Sequence, residues 1–270
     1  MRKERCLVHA LHASLLALLA SHASCVGTTG GDLVSFDAAA AGPPDAIAGQ
    51  ALSFDTGRGW HVSLTRAKLH IGAVYLNRSV PSSGSQETSC VLPGIYVGEV
   101  LGGRDVDVLS PDPQPFSARG DGIGDRAVAG ELWLTGGDVN AVDDPTVILD
   151  IAGIASRGAD ILPFEGQVTI GANRATGSPD PSQPGLDPPC KQRIVSPITT
   201  DVRVRAGGKL LVRIDPRGWF ANVDFAQLDK ASDAPLLYRF ADASNGQPAF
   251  NLFKGVHAAE GVYRFSWESP

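Results

Sequence analysis

Between Trp60 and Leu76 the chain alternates apolar and polar residues, and that alternation limits what it can fold into. Trp60, Val62 and Leu64 point one way. Ala67, Leu69, Ile71, Ala73 and Tyr75 continue on the opposite parity. A period of two places successive side chains on opposite faces of a strand, whereas a helix needs a period near 3.6. The slip at Thr65-Arg66 predicts a β-bulge or a corner. Past it, Arg66, Lys68 and His70 share the polar face.

The remaining apolar runs are short and have the same character. Strands are expected at Leu33–Phe36, Ile95–Leu101, Val106–Leu109, Ala127–Leu134, Val147–Ala155, Phe164–Ile170, Leu236–Phe240 and Gly261–Trp267. Thr199 to Ile214, with Gly207-Gly208 between its apolar halves, predicts a hairpin. Phe220–Leu228 suits either a strand or a short helix. Ala38–Gly49 reads as irregular, and Pro111–Asp125 and Gly177–Pro189 as long turn regions. Thirty-one glycines and 19 prolines, concentrated between these runs, favour many turns over long helices. The expectation is an all-β protein, an antiparallel β-sandwich with long Pro/Gly-rich loops.

The start of the chain has a different pattern. Arg2, Lys3 and Arg5 precede an apolar stretch from Leu7 to Ala20, and Ser21-His22-Ala23-Ser24-Cys25 follows. A cationic start, a short apolar run and a small-residue exit predict an export signal over 1–24. The run is shorter than the roughly 20 residues a membrane span needs. Ala23, Ser24 and Cys25 resemble a bacterial lipobox, although His22 stands where an aliphatic residue is usual. The resemblance implies a lipid (diacylglycerol and palmitate) on Cys25. With Val26 rather than Asp next, it implies the outer membrane. Residues 25–32 would then be a lipidated tether and 33–270 a single β-sandwich domain. Cleavage after Ala23, giving a soluble secreted or periplasmic protein, is the alternative.

Cysteine counting bears on this choice. Of four cysteines, Cys6 would leave with the signal, which leaves Cys25, Cys90 and Cys190. Lipidation of Cys25 accounts for the odd one. Cys90 and Cys190 would then form a disulfide in an oxidising compartment, closing a loop of about 100 residues worth about 4.7 kcal/mol.

The chain carries a net charge of −6. Loss of three basic residues and one acidic residue with the signal makes it about −8. There is no basic run, so nucleic acid is excluded as an expected partner. The expected partners are the membrane, through the lipid, and an envelope protein or extracellular ligand.

Few residues suggest chemistry. There is no G-x-S-x-G, no H-E-x-x-H and no phosphate-cradling glycine loop, so no enzyme is expected. His61, His70 and His257 are the histidines outside the signal and the candidate metal ligands. His61 and His70 would stand about 30 Å apart in one continuous strand. They could share an ion only if the chain folds back near Thr65. Solvated strand-face histidines are the simpler reading. Asp121 and Asp125, and Asp138, Asn140, Asp143 and Asp144, read as solvated turns, with calcium as the alternative. Trp60 and Trp133 fit strand packing. Trp219, after Asp215-Pro216-Arg217-Gly218, is the expected exposed aromatic for a carbohydrate.

Gly59-Trp60-His61-Val62-Ser63-Leu64-Thr65-Arg66-Ala67-Lys68-Leu69-His70 and the following residues to Leu76 resemble the entering strand of exported β-sandwich lipoproteins. Val204-Arg205-Ala206-Gly207-Gly208-Lys209 and the following residues to Asp215 are similar to their closing hairpin. Among these proteins are periplasmic copper-binding proteins of the methanobactin-associated type. The resemblance implies a β-sandwich in the cell envelope. The reading is therefore an anchored, non-enzymatic binding or structural module with no cofactor. Its alternatives are a transition-metal-binding lipoprotein and a carbohydrate-binding protein.

Overall fold

The alternating run forms one strand, His61–Asn77, around which the other strands are arranged. A computed structural model describes residues 31–81, 94–174, 189–243 and 246–270. Cys25, the signal, most of the tether and Cys90 lie outside the described residues.

In chain order the strands are β1 (Leu33–Ala41), β2 (Leu52–Asp55), β3 (His61–Asn77), β4 (Tyr96–Asp107), β5 (Gln114–Pro115), β6 (Gly120–Ile123) and β7 (Arg126–Trp133). They continue as β8 (Val147–Arg157), β9 (Asp160–Thr169), β10 (Ile194–Arg203), β11 (Lys209–Ile214), β12 (Asp229–Asp233), β13 (Leu236–Phe240) and β14 (Tyr263–Glu268). Among the described residues, two short helices, α1 (Pro189–Gln192) and α2 (Ala249–Val256), and three 3₁₀ turns complete the regular structure. The protein is all-β, and Leu33–Pro270 forms one compact unit. Its pairings are mixed rather than purely antiparallel, because β1 runs parallel to β11 and β13 parallel to β9.

Strand β3 has partners along both edges. One edge pairs with β2 over 61–64 and then with β4 over 68–77. The other pairs with β8 over 61–69 and then with β7 over 73–77. The expected bulge appears as a register shift against β8 between Leu64 and Arg66. A second change of face occurs at Gly72, where the sequence predicts none. Leu69 and Ile71 are core residues, but so are Val74 and Leu76, which puts Tyr75 outside the core. Gly72 sits at the handover from β8 to β7. A Cβ there would lie 2.1 Å from the Thr135 carbonyl oxygen, so only glycine leaves room for that backbone.

The expected hairpin at Thr199–Ile214 does not form. Strand β10 pairs with β7, while β11 pairs with β1 and β14. The glycine pair hands the chain between sheets instead of reversing it. Gly207 N–H donates to Ser35 O, and Asp37 N–H donates to Gly208 O, so both glycines dock on β1. Ala38–Ala41, read as irregular, extends β1 and is buried because its small side chains fit against β11. The two short strands expected at 95–109 are one strand, β4, whose irregularity falls at Gly102-Gly103.

Candidate functional site

The two slips in β3 bring His70 and Tyr75 into one cleft of about 250 Å³. His70 lies on the outer face before Gly72, and Tyr75 turns outward after it. Strand β4 contributes Leu101, Gly102 and Gly103, and β7 ends there with Trp133. The loop after β7 supplies Thr135, Gly136 and Gly137. The floor is rich in glycine, which leaves backbone polar groups accessible.

His70 Nδ1 lies 2.6 Å from Asp105 Oδ1. A carboxylate oxygen only accepts, so Nδ1 carries a proton, and in the neutral ring Nε2 is the acceptor. Nε2 lies over Gly103, where an added Cβ would be 3.3 Å away. The His70 side chain is 19% exposed, so the ring is held but reachable. The Thr135 hydroxyl is already committed, since its Oγ1 donates to Asp144 Oδ2 at 2.8 Å.

The loop beyond Thr135 is fixed from two sides. Asp144 also accepts from Gly136 N–H at 3.3 Å and from Thr146 N–H at 3.0 Å. Burial works to raise the Asp144 carboxyl, but these hydrogen bonds leave it below the usual range. From below, fully buried Arg193 donates to Ile170 O and Val139 O, both at 2.8 Å.

The aromatic wall is anchored by Glu131, which is fully buried. Asn77 Nδ2 donates to Oε1 at 3.0 Å. Trp133 Nε1 and Tyr96 OH donate to Oε2 at 3.3 and 3.5 Å. Tyr75 packs between Tyr96 and Trp133, with ring centroids 5.1 and 4.7 Å away. Burial raises the Glu131 carboxyl above its ordinary range, against the lowering effect of its three donors. Burial, then the charges of Glu99 and Glu131, push the Tyr75 phenol up. The cross-strand row reads Glu99–Tyr75–Glu131.

The other candidates lie apart from this cleft. His61 is at the opposite end of β3 from Asn77 and pairs with Asp55 at 2.9 Å. His257 caps α2, and its Nε2 is 3.3 Å from Lys191 O. These contacts place the three histidines with three different neighbours. The described residues contain no group of three His, Cys, Asp or Glu side chains able to share an ion. Trp219, expected to be exposed, is 0% exposed. The Pro216–Phe220 turn folds its ring inward among the core aromatics, which corrects its reading as a sugar platform. The acidic turn residues make structural contacts. Asp121 accepts from Ser35 Oγ, Asp138 from Asn140 N–H, and Asp125 pairs with Arg78. Cys190 is buried in α1, in an apolar cluster with Val139 and Ile194 against which Trp133 packs.

Sequence reasoning missed Glu131, Asp105 and the outward turn of Tyr75. Two signals were available: a lone glutamate inside an otherwise apolar run, and Gly72 inside a strand pattern, which marks a close backbone approach.

No protein-family model matches the chain, and no curated protein does. Among solved structures the chain is similar to MbnP from Methylosinus trichosporium, at 10% sequence identity. That superposition covers 88% of this chain and 99% of that one, with a TM-score of 0.39. A likeness that loose carries no argument about function.

Proposed function

We propose that this chain is an exported, envelope-anchored binding protein without catalytic activity, and that the cleft around His70 holds a small organic molecule. The observation that carries the reading is the Asp105–His70 pair at 2.6 Å, which leaves Nε2 as a fixed acceptor in a glycine-floored, aromatic-walled cleft. Such a cleft combines apolar contact with one oriented polar group, as small-molecule sites do. The non-enzymatic part rests on the sequence, which carries no G-x-S-x-G or H-E-x-x-H motif.

The test is a titration of the purified protein, labelled on its histidine rings, with a panel of small alcohols, saccharides and amines. At least one is expected to shift the His70 ring resonances, and His70→Ala should abolish its binding. If no compound moves that ring, the site reading is wrong.

A transition-metal ion is the second reading, because a carboxylate commonly orients a ligating imidazole. The cleft offers an ion one imidazole nitrogen. A zinc or copper(II) affinity that does not change in His70→Ala removes this reading.

The anchor is part of the proposal. Lipidation of Cys25 and a Cys90–Cys190 disulfide together account for every cysteine beyond the signal. The disulfide would tie down the helix whose Cys190 packs near Trp133. Mass spectrometry of the native protein should find acyl chains on Cys25 and a mass two hydrogens below the dithiol form. An unmodified Cys25 thiol would overturn the anchor.

A further inference from the structure

The wall of the His70 cleft has a charge pattern that selects among ligands. Tyr75 is flanked in its cross-strand row by Glu99 on β4 and Glu131 on β7. Asp105 stands behind His70. Among the described residues, no lysine or arginine lines the cleft. When ionised, these carboxylates oppose an anionic ligand at the aromatic wall.

The hydrogen bonds to Glu131 act in the same direction. Its three neighbours, Asn77, Trp133 and Tyr96, all donate to it, which is the arrangement that suits an ionised carboxylate. Trp133 gives its indole N–H to that charge at 3.3 Å. An indole that donates to an anion is drawn toward indolate character, and its π face becomes more electron-rich. A cation over an aromatic face is attracted by the ring quadrupole, most strongly over tryptophan. Tyr75, 4.7 Å from Trp133 between centroids, extends the same surface.

We infer that the ligand is a small alkylammonium cation bearing a hydroxyl or similar donor, with the ammonium against the Tyr75 and Trp133 rings and the donor on His70 Nε2. This rests on the reading of the cleft as a binding site and adds the chemical class of its occupant. The buried carboxylate gives the wall its charge without making contact with the ligand. It does not have to be desolvated again at each binding event.

Choline and its neutral carbon isostere, 3,3-dimethylbutan-1-ol, separate the charge from the shape. Both would be titrated into the purified protein at about pH 8, following the Trp133 indole and His70 ring resonances. Choline is expected to bind about tenfold more tightly than the alcohol. Glu131→Gln should shrink that preference. Trp133→Leu should bring choline down to the alcohol's level. Equal affinities, or tighter binding of the alcohol, would overturn the cationic class while the cleft remains a site. Binding of another panel compound with no response to choline would do the same. If no compound shifts either residue, both the class and the site reading fall.

Discussion

The indole N–H of Trp133 donates to Glu131 Oε2 across 3.3 Å, so a ring that walls the cleft is oriented by a carboxylate with no exposure to solvent. Removing the charge is therefore expected to alter the wall's chemistry more than its shape.

The stability of the protein should record that burial. The folded-state pKa of Glu131 is raised above its ordinary value of 4.5. A raised carboxyl favours the folded state while it is protonated. That contribution is complete below the unfolded-state pKa and is lost as pH rises through the folded one. Wild-type protein should therefore lose stability relative to Glu131→Gln as pH climbs from about 4.5 toward neutrality. Urea denaturation of both proteins across that interval checks the sign, and a difference that stays flat would contradict it.

Gly72→Ala tests the strand handover. The new methyl group would sit 2.1 Å from the Thr135 carbonyl oxygen, which is backbone and cannot step aside alone. A destabilisation of about 2–3 kcal/mol is expected. The His70 and Trp133 resonances should shift together, because the Thr135 loop must move. Gly137→Ala in the same loop has nothing within 4 Å of the added carbon and serves as the control.

Arg193→Met should cost about 3 kcal/mol, because it strands the Ile170 and Val139 carbonyls that the guanidinium satisfies. Burial already lowers the pKa of this guanidinium, a sign of how poorly the site is solvated. Thermal unfolding measures the loss. Binding at the cleft should weaken as well, since Arg193 holds the loop that forms one rim.

Trp219→Ala should behave as a core truncation. Removing a fully buried indole is expected to cost about 3–5 kcal/mol. A glycan array should show no difference between this variant and the wild type at temperatures where both are folded. A selective loss of glycan binding would restore the sugar-platform reading.

Much of the all-β character could be read from the sequence because strand periodicity is local. The Trp60–Leu76 run showed its direction and its first bulge, since Thr65 and Arg66 change the parity of neighbouring residues. The neighbours of a strand are not local information. Nothing near Gly207-Gly208 tells the chain whether to return along β10 or cross to β1, and the docking of both glycines on β1 decides it. The cleft was hidden for the same reason. His70 was visible as a histidine on a polar face, but its partner Asp105 is 35 residues away, and Trp133 reaches the site only because β7 takes over from β8. Trp219 misled because a proline–glycine turn indicates where the backbone bends and says nothing about which way the ring falls.

The sharing of β3 among four neighbours also sets when the cleft can exist. His70 and Tyr75 are close in sequence, but Thr135 and Trp133 join them only after segments about 60 residues apart have paired. Contacts of such long range form slowly and late. A chain still folding would carry all the residues of the site without the assembled cleft. Ligand capture would then begin only once the β3 ladders on both edges had closed.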